Sequence, residues 1–498
     1  MDSQPLSYSL ATLLHNVCGQ LSYDPSHQLM FSSGLFWVLF VLLMPVYAML
    51  RSRRRQQLLF VVAFSLFFYY KSSGWCFLLM VFTSLADWHL ARLIAASRCR
   101  RRRRLLLVCS LVCSLGVLAF FKYTNFALSN VDALLGRNFH PLDIVLPVGI
   151  SFYTFRSISY VVDVYKGRLA PERSYLNYVF FLSFFPALVA GPIVRASHFM
   201  PQLHKPRPVT AQMVYGGLWL IMIGLVKKCV MADYLAQYTN LVFNSPATYG
   251  GLESLMAMLG YTAQIYCDFS GYSDMAIGLG SIMGFDLGRN FDFPYRSLSV
   301  TEFWRRWHMS LSFWLRDYIY IPLGGNRRGR LRQYANLMAT MLLGGLWHGA
   351  AWQFVAWGAG HGAALCLHKA ARPWLERVRV NRYVWQALSW LATFTFVAVM
   401  WVFFRAATFA DAATLLTSIA TKMDLHHLGA FIMARHTWFL TLAAVAVLHA
   451  VPRALLQAAR DAFINSLWIS KLLIFLAVVQ LVIEFSTAEV APFIYFQF

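Results

Sequence analysis

Two histidines, His308 and His348, lie in the sequence contexts best suited to chemistry. The first stands in WRRWHMS, among arginines and tryptophans, and the second in GGLWHGA, between small residues. The run 333–368 around His348 carries no Asp, Glu, Lys or Arg, so we expect this imidazole at membrane depth. Ionisable groups at that depth are rare and usually functional. A neutral imidazole accepts a proton from a hydroxyl, which makes both histidines candidates for acid–base catalysis.

The residues around His308 predict one continuous helix over 302–318. Ser299 marks its start, because a glutamate follows three residues later at the spacing of a capping box. On a helical projection Arg305 and Arg316 share a face with His308, so we expect two guanidinium groups that disfavour protonation of the imidazole. The alternative is a helix that lies in the membrane interface with its basic face toward lipid phosphates.

An arginine-rich loop follows this predicted helix. The segment IPLGGNRRGRLRQ combines turn glycines with Arg327 and Arg328. Guanidinium groups match the geometry of phosphates, so these two residues, with Arg305 and Arg316, are candidates for binding the phosphates of an acyl donor. A basic loop is also typical of the cytoplasmic face of a membrane protein, which requires no substrate.

The composition indicates a membrane protein. Of the 498 residues, 59% are hydrophobic and 13% are charged, and the mean hydropathy is +0.53. A soluble domain would carry about a quarter charged residues. Backbone groups in lipid must form hydrogen bonds within their own segment, which favours helices. The apolar runs predict an all-α polytopic protein with about 11–13 transmembrane or re-entrant helices.

The formal net charge of +22 is better explained by membrane orientation than by nucleic-acid binding. The basic residues cluster at the ends of apolar runs, as in 51–55 and 98–104. Two predicted spans separate these clusters, so both fall on one side, which the positive-inside rule makes cytoplasmic. We expect contacts with anionic membrane lipids and no nucleic-acid partner. Residues 1–30 lack a basic n-region, so no cleaved signal peptide is expected.

Charged and helix-breaking residues interrupt the apolar runs before the histidines. Arg156 and Asp163 lie about two helical turns apart, and they either pair, reach the interface or line a substrate path. Asp268 and Asp274 fall on different faces of one helix, which favours pairing with Lys or Arg over a catalytic carboxylate pair. The prolines and glycine of FFPALVAGPIVR, residues 184–195, predict a kinked or broken helix.

Four segments together resemble the membrane-bound O-acyltransferase family. They are FWRRWHMSLSFWLRDYIYIPLGGNRRG, LLGGLWHGAAWQFVAWGAGHG, LPVGISFYTFRSISYVVDVY and FFPALVAGPIVR, and they span 145–370. Within the family the chain is most similar to the bacterial alginate O-acetyltransferase branch and its relatives for cellulose and peptidoglycan. The resemblance implies helices around a central tunnel, with His348 as the catalytic histidine and His308 as its companion. Arg156 and Ala187 depart from the family pattern, in which an amide or imidazole is common.

We expect a single membrane-embedded O-acyltransferase domain over residues 1–498. It would comprise N-terminal helices in 1–140, a catalytic core in 145–370, and C-terminal helices with a tail in 371–498. The first part carries little visible chemistry.

The expected activity is transfer of an acetyl group from a cytoplasmic thioester, acetyl-CoA, across the bacterial inner membrane to an exported polysaccharide such as alginate. His348 would take the proton of the attacking hydroxyl, and His308 would polarise the thioester carbonyl or position the acceptor. No bound cofactor and no metal are expected, since the sequence shows no nucleotide fingerprint or metal-ligand cluster. The resemblance implies periplasmic acetyltransferase proteins as partners.

Other interpretations remain open at this stage. The acceptor is alternatively peptidoglycan or cellulose. From different functional classes, the chain would be a transporter or flippase of a polysaccharide secretion system, or a scaffold without activity. A transporter is typically built from internal repeats, which the sequence does not show.

The apolar segment 492–498, PFIYFQF, resembles the C-terminal tail of the same acyltransferase branch. Tyr495 carries its only hydroxyl, which makes this phenol a candidate acyl relay that splits one transfer into two. The alternative is an aromatic plug that anchors the last helix.

Overall fold

The computed structural model describes residues 19–25, 27–375, 377 and 380–485. Every regular element in this part of the chain is helical. Within the described residues, six helical segments are long and apolar enough to cross a membrane, and a bent pair of helices adds a seventh if it is counted as one span. The prediction of an all-α, multi-pass membrane protein is confirmed. The total of about 11–13 spanning or re-entrant helices stays a prediction.

The first helices bring both arginine clusters to the same end of the molecule. Arg103 Nη2 donates to the carbonyl oxygen of Tyr165 at 2.6 Å, and Arg54 lines a cavity together with residues 174–177. These contacts involve residues 165–177, so the two clusters lie near the same part of the molecule, and their common side of the membrane stays a prediction. The helices are α1 (Gly34–Met49), α2 (Arg54–Ser73), α3 (Phe77–Ala96) and α4 (Arg100–Leu134), with short 3-10 turns at Leu50–Ser52 and Gly74–Cys76.

The predicted helix break at residues 184–195 is present. One helix ends at Ser183, a single turn follows, and the chain then runs without helix as far as Ala196. Because Pro186 and Pro192 lack the backbone N–H, they cannot continue a helical hydrogen-bond ladder here. The elements of this region are α5 (Ile150–Tyr165), α6 (Tyr175–Ser183), α7 (Phe185–Leu188) and α8 (Ala196–His204).

Arg156 stabilises this break. Its guanidinium is fully buried and donates to the carbonyl oxygens of Phe181 and Ala187, at the ends of α6 and α7. Carbonyls at helix ends lack intrahelical partners, so a buried donor satisfies them. Of the three alternatives for Arg156, pairing with Asp163 is wrong, because Arg156 donates to these carbonyls and Asp163 accepts from the hydroxyl of Tyr318 at 2.8 Å. The two departures from the family pattern, Arg156 and Ala187, therefore contact each other.

Buried ion pairs join the next helices. Lys227 Nζ lies 2.7 Å from Asp274 Oδ2, and Lys228 Nζ lies 2.6 Å from Asp268 Oδ1. This confirms the predicted structural role of both carboxylates, since an unpaired buried charge would be strongly destabilising. The elements are α9 (Ala211–Leu225), a π-helical turn (Val226–Ala232), α10 (Asp233–Asn244), a 3-10 turn (Pro246–Thr248) and α11 (Gly251–Ile282).

The single helix predicted over 302–318 is wrong, because the chain forms two helices with a break at His308. Its predicted start is right, since Ser299 Oγ accepts from the backbone N–H of Glu302 at 3.2 Å. The remaining elements are a 3-10 turn (Pro294–Arg296), α12 (Val300–Arg306), α13 (Met309–Leu315), a π-helical turn (Arg316–Tyr320), α14 (Arg330–His348), α15 (Trp352–Leu375), α16 (Arg382–Arg405), α17 (Phe409–Thr421), α18 (Leu428–Ala434), α19 (His436–Ala450), α20 (Arg453–Asn465) and α21 (Trp468–Phe485).

Candidate active site

His308 occupies the break between α12 and α13 in an unusual backbone conformation. Its φ of 40° lies in the left-handed region, which costs a residue other than glycine about 1–3 kcal/mol. The side chain is fully buried. Its ring centroid lies 4.6 Å from that of Phe269 and 6.3 Å from that of Phe291. Strain retained at a buried polar residue is typical of functional sites.

The predicted pair of guanidinium groups beside His308 is not formed. The break in the helix removes the shared face on which Arg305 and Arg316 were projected. Both side chains are exposed, and Arg316 Nε pairs with Asp317 Oδ1 at 2.6 Å. The surroundings of His308 are therefore aromatic and amide groups rather than cations.

Asn290 determines which nitrogen of His308 carries the proton. The backbone N–H and the hydroxyl of Ser310 lie 3.3 and 2.8 Å from Asn290 Oδ1, and Nδ1 of His308 lies 3.0 Å from the same oxygen. A backbone N–H only donates, so Oδ1 faces these groups and His308 Nδ1 carries the hydrogen. The other end of the amide, Nδ2, donates to Ser273 Oγ at 3.0 Å.

This network leaves His308 Nε2 as a hydrogen-bond acceptor. The nitrogen is buried and has no hydrogen-bond partner among the described residues. The Ser310 hydroxyl is itself oriented, because it accepts from the backbone N–H of Ile193 at 3.0 Å and so donates toward Asn290. The tautomer of His308 thus rests on a chain of hydrogen bonds that begins at a backbone donor.

Trp347 contacts both predicted catalytic histidines. Its ring centroid is 5.8 Å from that of His308 and 5.0 Å from that of His348. Both imidazoles therefore flank one indole, although 40 positions separate them in the sequence. The structure brings together the two histidines that the sequence singled out.

His348 ends α14 inside an aromatic enclosure. The residue is buried, and its ring centroid lies 5.0 Å from that of Trp357 on α15 and 5.1 Å from that of Phe404 on α16. A side chain at Gly345 would place its Cβ 2.2 Å from the carbonyl oxygen of Phe354. Only glycine permits this approach of α15 to α14.

Two residues of α4 hold the end of α14 that carries His348. Lys122 Nζ donates to the carbonyl oxygens of Trp347 and His348 at 2.6 and 3.0 Å. The hydroxyl of Tyr123 donates to the carbonyl oxygen of Leu346 at 2.7 Å. The last carbonyls of a helix lack partners and attract a cation. Sequence reasoning missed Lys122, because a single lysine in an apolar run has no signal that names its partner.

We predict that Lys122→Met weakens acyl transfer without removing the protein from the membrane. Two hydrogen bonds to the end of α14 are lost, each worth about 0.5–1.5 kcal/mol, so His348 is held less firmly. The measurement is the rate of acyl transfer by purified protein. Asn130→Ala is the control, since it removes another contact to α15, from Trp352 Nε1 at 2.8 Å, and leaves the end of α14 intact. Equal loss in both variants would contradict a specific role for Lys122.

A third buried histidine, His361 on α15, was also missed. Its Nδ1 accepts from the indole N–H of Trp304 at 3.2 Å, so its Nε2 carries the hydrogen. That nitrogen is buried without a hydrogen-bond partner among the described residues. The ring centroid lies 4.7 Å from that of Trp357, which also contacts His348. Its signal was the same as that of His348, a histidine next to glycines in the segment GAGHG.

The remaining predicted site residues lie away from the histidines or outside the described residues. Arg327 and Arg328 are exposed on the loop before α14. This helix has 19 residues and is about 28 Å long, so both arginines lie far from His348. Only the part of a long acyl donor that is remote from its thioester would reach these two arginines. Tyr495 lies outside the described residues, and the central tunnel stays a prediction.

Sequence comparisons relate this chain to known proteins. Residues 172–410 match the family model described as MBOAT, membrane-bound O-acyltransferase family. The chain is 39% identical over 408 residues to a probable alginate O-acetylase of Pseudomonas putida. This match covers 77% of this chain and 82% of the relative. It is 38% identical over 364 residues to a peptidoglycan O-acetyltransferase of Helicobacter pylori, covering 68% and 69%. A teichoic acid D-alanyltransferase of Bacillus subtilis is 29% identical over 272 residues, covering 52% and 68%.

Proposed function

The chain belongs to the membrane-bound O-acyltransferase family, and from this premise we propose that it O-acetylates an exported polysaccharide such as alginate. As a member of this family the chain is a membrane-bound acyltransferase, rather than a transporter or an inactive scaffold. In the proposal the membrane is the bacterial inner membrane and the donor is a cytoplasmic thioester, acetyl-CoA. The two arginine clusters at one end of the molecule support this orientation through the positive-inside rule.

The observation that carries the proposal is the unprotonated, buried Nε2 of His308. This atom accepts a hydrogen bond from the acceptor hydroxyl, whose oxygen attacks the carbonyl carbon of the thioester as His348 takes its proton. The C–S bond breaks, and the proton returns to the thiolate to give the free thiol. Polarisation of the thioester carbonyl would require a donor instead, so this tautomer favours the second predicted role of His308, at the acceptor.

His348 is the second catalytic residue in this proposal. The resemblance assigns the proton transfer to it, and its ring flanks the same indole as that of His308. In this proposal His348 takes the proton of the hydroxyl and gives the same proton to the thiolate, while His308 holds the acceptor in place. The aromatic walls exclude water, which would otherwise hydrolyse the thioester.

Peptidoglycan is the second candidate acceptor, because the Helicobacter pylori relative that acts on it covers a similar share of this chain. Cellulose, and a short acyl group other than acetyl, are further variants of the same chemistry. In each case the acceptor lies beyond the membrane, so periplasmic acetyltransferase partners would complete the modification. The exposed Arg305, Arg316, Arg327 and Arg328 would bind phosphates of the donor.

The test of this function is the O-acetyl content of each cell-surface polymer in a strain that lacks the protein. We expect one polymer to lose its acetyl esters and to regain them when the unchanged gene is restored. Restoration with the His348→Ala variant should fail at equal protein abundance. Unchanged acetylation of alginate, cellulose and peptidoglycan in the deletion strain would contradict the proposal.

Tyr495→Phe tests the predicted acyl relay. In the relay the phenol oxygen takes the acetyl group from the thioester, releasing the thiol, and a hydroxyl of the outer acceptor then takes the acetyl from the tyrosine ester. The substitution keeps the ring and removes only this oxygen, so we expect loss of polymer acetylation at normal protein abundance. Phe493→Leu in the same tail is the control for packing. Full polymer acetylation by Tyr495→Phe would reject the relay and favour the alternative, an aromatic plug that anchors the last helix.

A further inference from the structure

A second polar cavity lies apart from the candidate active site, between the ends of α1, α2, α9 and α11. Its volume is about 540 Å³. Three arginines line it, namely Arg51, Arg54 and Arg207, and no Asp or Glu is among the described residues that do so. Its other wall is largely apolar and includes Met44, Val209, Val214, Ile282 and Phe285. The cavity thus combines three positively charged side chains with an apolar surface.

Arg54 is held in a defined position within this cavity. Its Nη1 donates to Gln57 Oε1 at 2.8 Å, and Gln57 Nε2 donates to the carbonyl oxygen of Tyr47 at 2.9 Å. The hydroxyl of Tyr47 in turn donates to the carbonyl oxygen of Met283 at 2.6 Å. The guanidinium carbon also lies 5.9 Å from the ring centroid of Phe285. A ligand would therefore meet a preorganised guanidinium, which lowers the entropic cost of binding.

The other edge of the same guanidinium has no acceptor. Nε and Nη2 of Arg54 are buried and have no hydrogen-bond partner among the described residues. The nearby Asp286 lies beside His198, whose Nε2 is 3.4 Å from its Oδ2. Nε and Nη2 form one fork of two parallel N–H groups, which matches two oxygens of a phosphate. Buried donors without an acceptor are costly, so this fork is suited to a ligand oxygen pair.

We propose that this cavity binds the phosphate of an anionic phospholipid, with its acyl chains along the apolar wall. Two observations favour a lipid over a free phosphate. The cavity lies where the candidate spans α1 and α2 end, which is the depth of lipid headgroups. The apolar wall would remain without a partner beside an inorganic anion. Arg51 and Arg207 add the positive charge that favours an anionic headgroup over a zwitterionic one.

The experiment is lipid retention by the full chain, purified in detergent and measured by native mass spectrometry. The probes are phosphatidylglycerol, phosphatidylcholine and inorganic phosphate. We expect the unchanged protein to retain phosphatidylglycerol in preference to phosphatidylcholine. Arg54→Gln should weaken its retention about tenfold or more, since the bidentate charged contact is lost. The control is Arg53→Gln, an exposed arginine of the same loop that does not line the cavity.

Any one of four outcomes would overturn the proposal. Equal weakening by Arg53→Gln and Arg54→Gln would indicate general surface charge, and equal retention of both lipids would exclude recognition of an anionic headgroup. Arg54-dependent binding of inorganic phosphate without retention of phosphatidylglycerol would indicate a site for free anions. If Arg54→Gln does not fold, the exposed Arg207→Gln serves instead, and unchanged lipid preference in that variant overturns the proposal as well. None of these measurements depends on acyl transfer, so they stand apart from the proposed function.

Discussion

His348→Ala should abolish acyl transfer while the protein stays in the membrane at normal abundance. Loss of a general acid–base group lowers a rate by about 10²–10⁴-fold. His348 ends α14 beside Trp357 and Phe404, and Lys122 holds its backbone carbonyl, so the helix end keeps its contact without the imidazole. The measurements are polymer O-acetylation in cells and the transfer rate of purified protein.

His368→Ala is the matched control for this variant. His368 belongs to the same pair of packed helices, is half-buried, and lies 3.1 Å from the hydroxyl of Thr301 through its Nδ1. We expect its activity to stay near that of the unchanged protein. Near-normal acetylation by His348→Ala would refute the mechanism. His348→Gln, which keeps most of the side-chain volume, separates loss of chemistry from loss of folding if the alanine variant is not inserted.

Features with a local signal were accessible from the sequence. The histidine at His348 stands out because the charge-free run and the glycines around it are neighbours in the chain. The broken helix at 184–195 follows from prolines and a glycine that act on their own backbone. Asp268 and Asp274 were assigned to ion pairs because a buried carboxylate in an apolar run requires a cation, whichever residue supplies it.

The break at His308 had no such signal. The apolar positions keep helical spacing through 302–318, so the pattern alone predicts one helix. Asn290 ends the helix. Its backbone carbonyl oxygen accepts from the backbone N–H of Met309 at 2.8 Å, and its side-chain oxygen accepts from the backbone N–H of Ser310. A left-handed histidine has no sequence signature, and its cost is met by these tertiary contacts.

Contacts to backbone carbonyls were equally hidden. Lys122 donates to the carbonyls of Trp347 and His348, and Arg156 to those of Phe181 and Ala187. A carbonyl oxygen is the same in every residue, so the partner of such a cation cannot be identified from residue types. For this reason the sequence predicted an ion pair for Arg156 and only a scaffold for the helix of Lys122.

The tautomer of His308 leads to a prediction about Asn290. His308→Ala should lower acyl transfer by about 10²-fold or more, because the acceptor hydroxyl loses the hydrogen bond that positions it. Asn290→Ala removes the oxygen that accepts from Nδ1, so His308 loses its fixed tautomer and the rate should fall toward that of His308→Ala. Because Asn290 acts through His308, the double variant should be no slower than His308→Ala alone. The measurement is the transfer rate of the three purified variants.

Ser273→Ala is the control, since it removes the partner of Asn290 Nδ2 and leaves the acceptor oxygen facing His308. Its rate should stay close to that of the unchanged protein. A purely structural role for Asn290 would give a different pattern, because a destabilised break between α12 and α13 lowers the rate whether or not the imidazole is present. In that case the fold-reduction in the transfer rate of the double variant would equal the product of the fold-reductions in the two single variants. Because the backbone carbonyl of residue 290 survives in the alanine variant, its contact to Met309 persists and the break itself should remain.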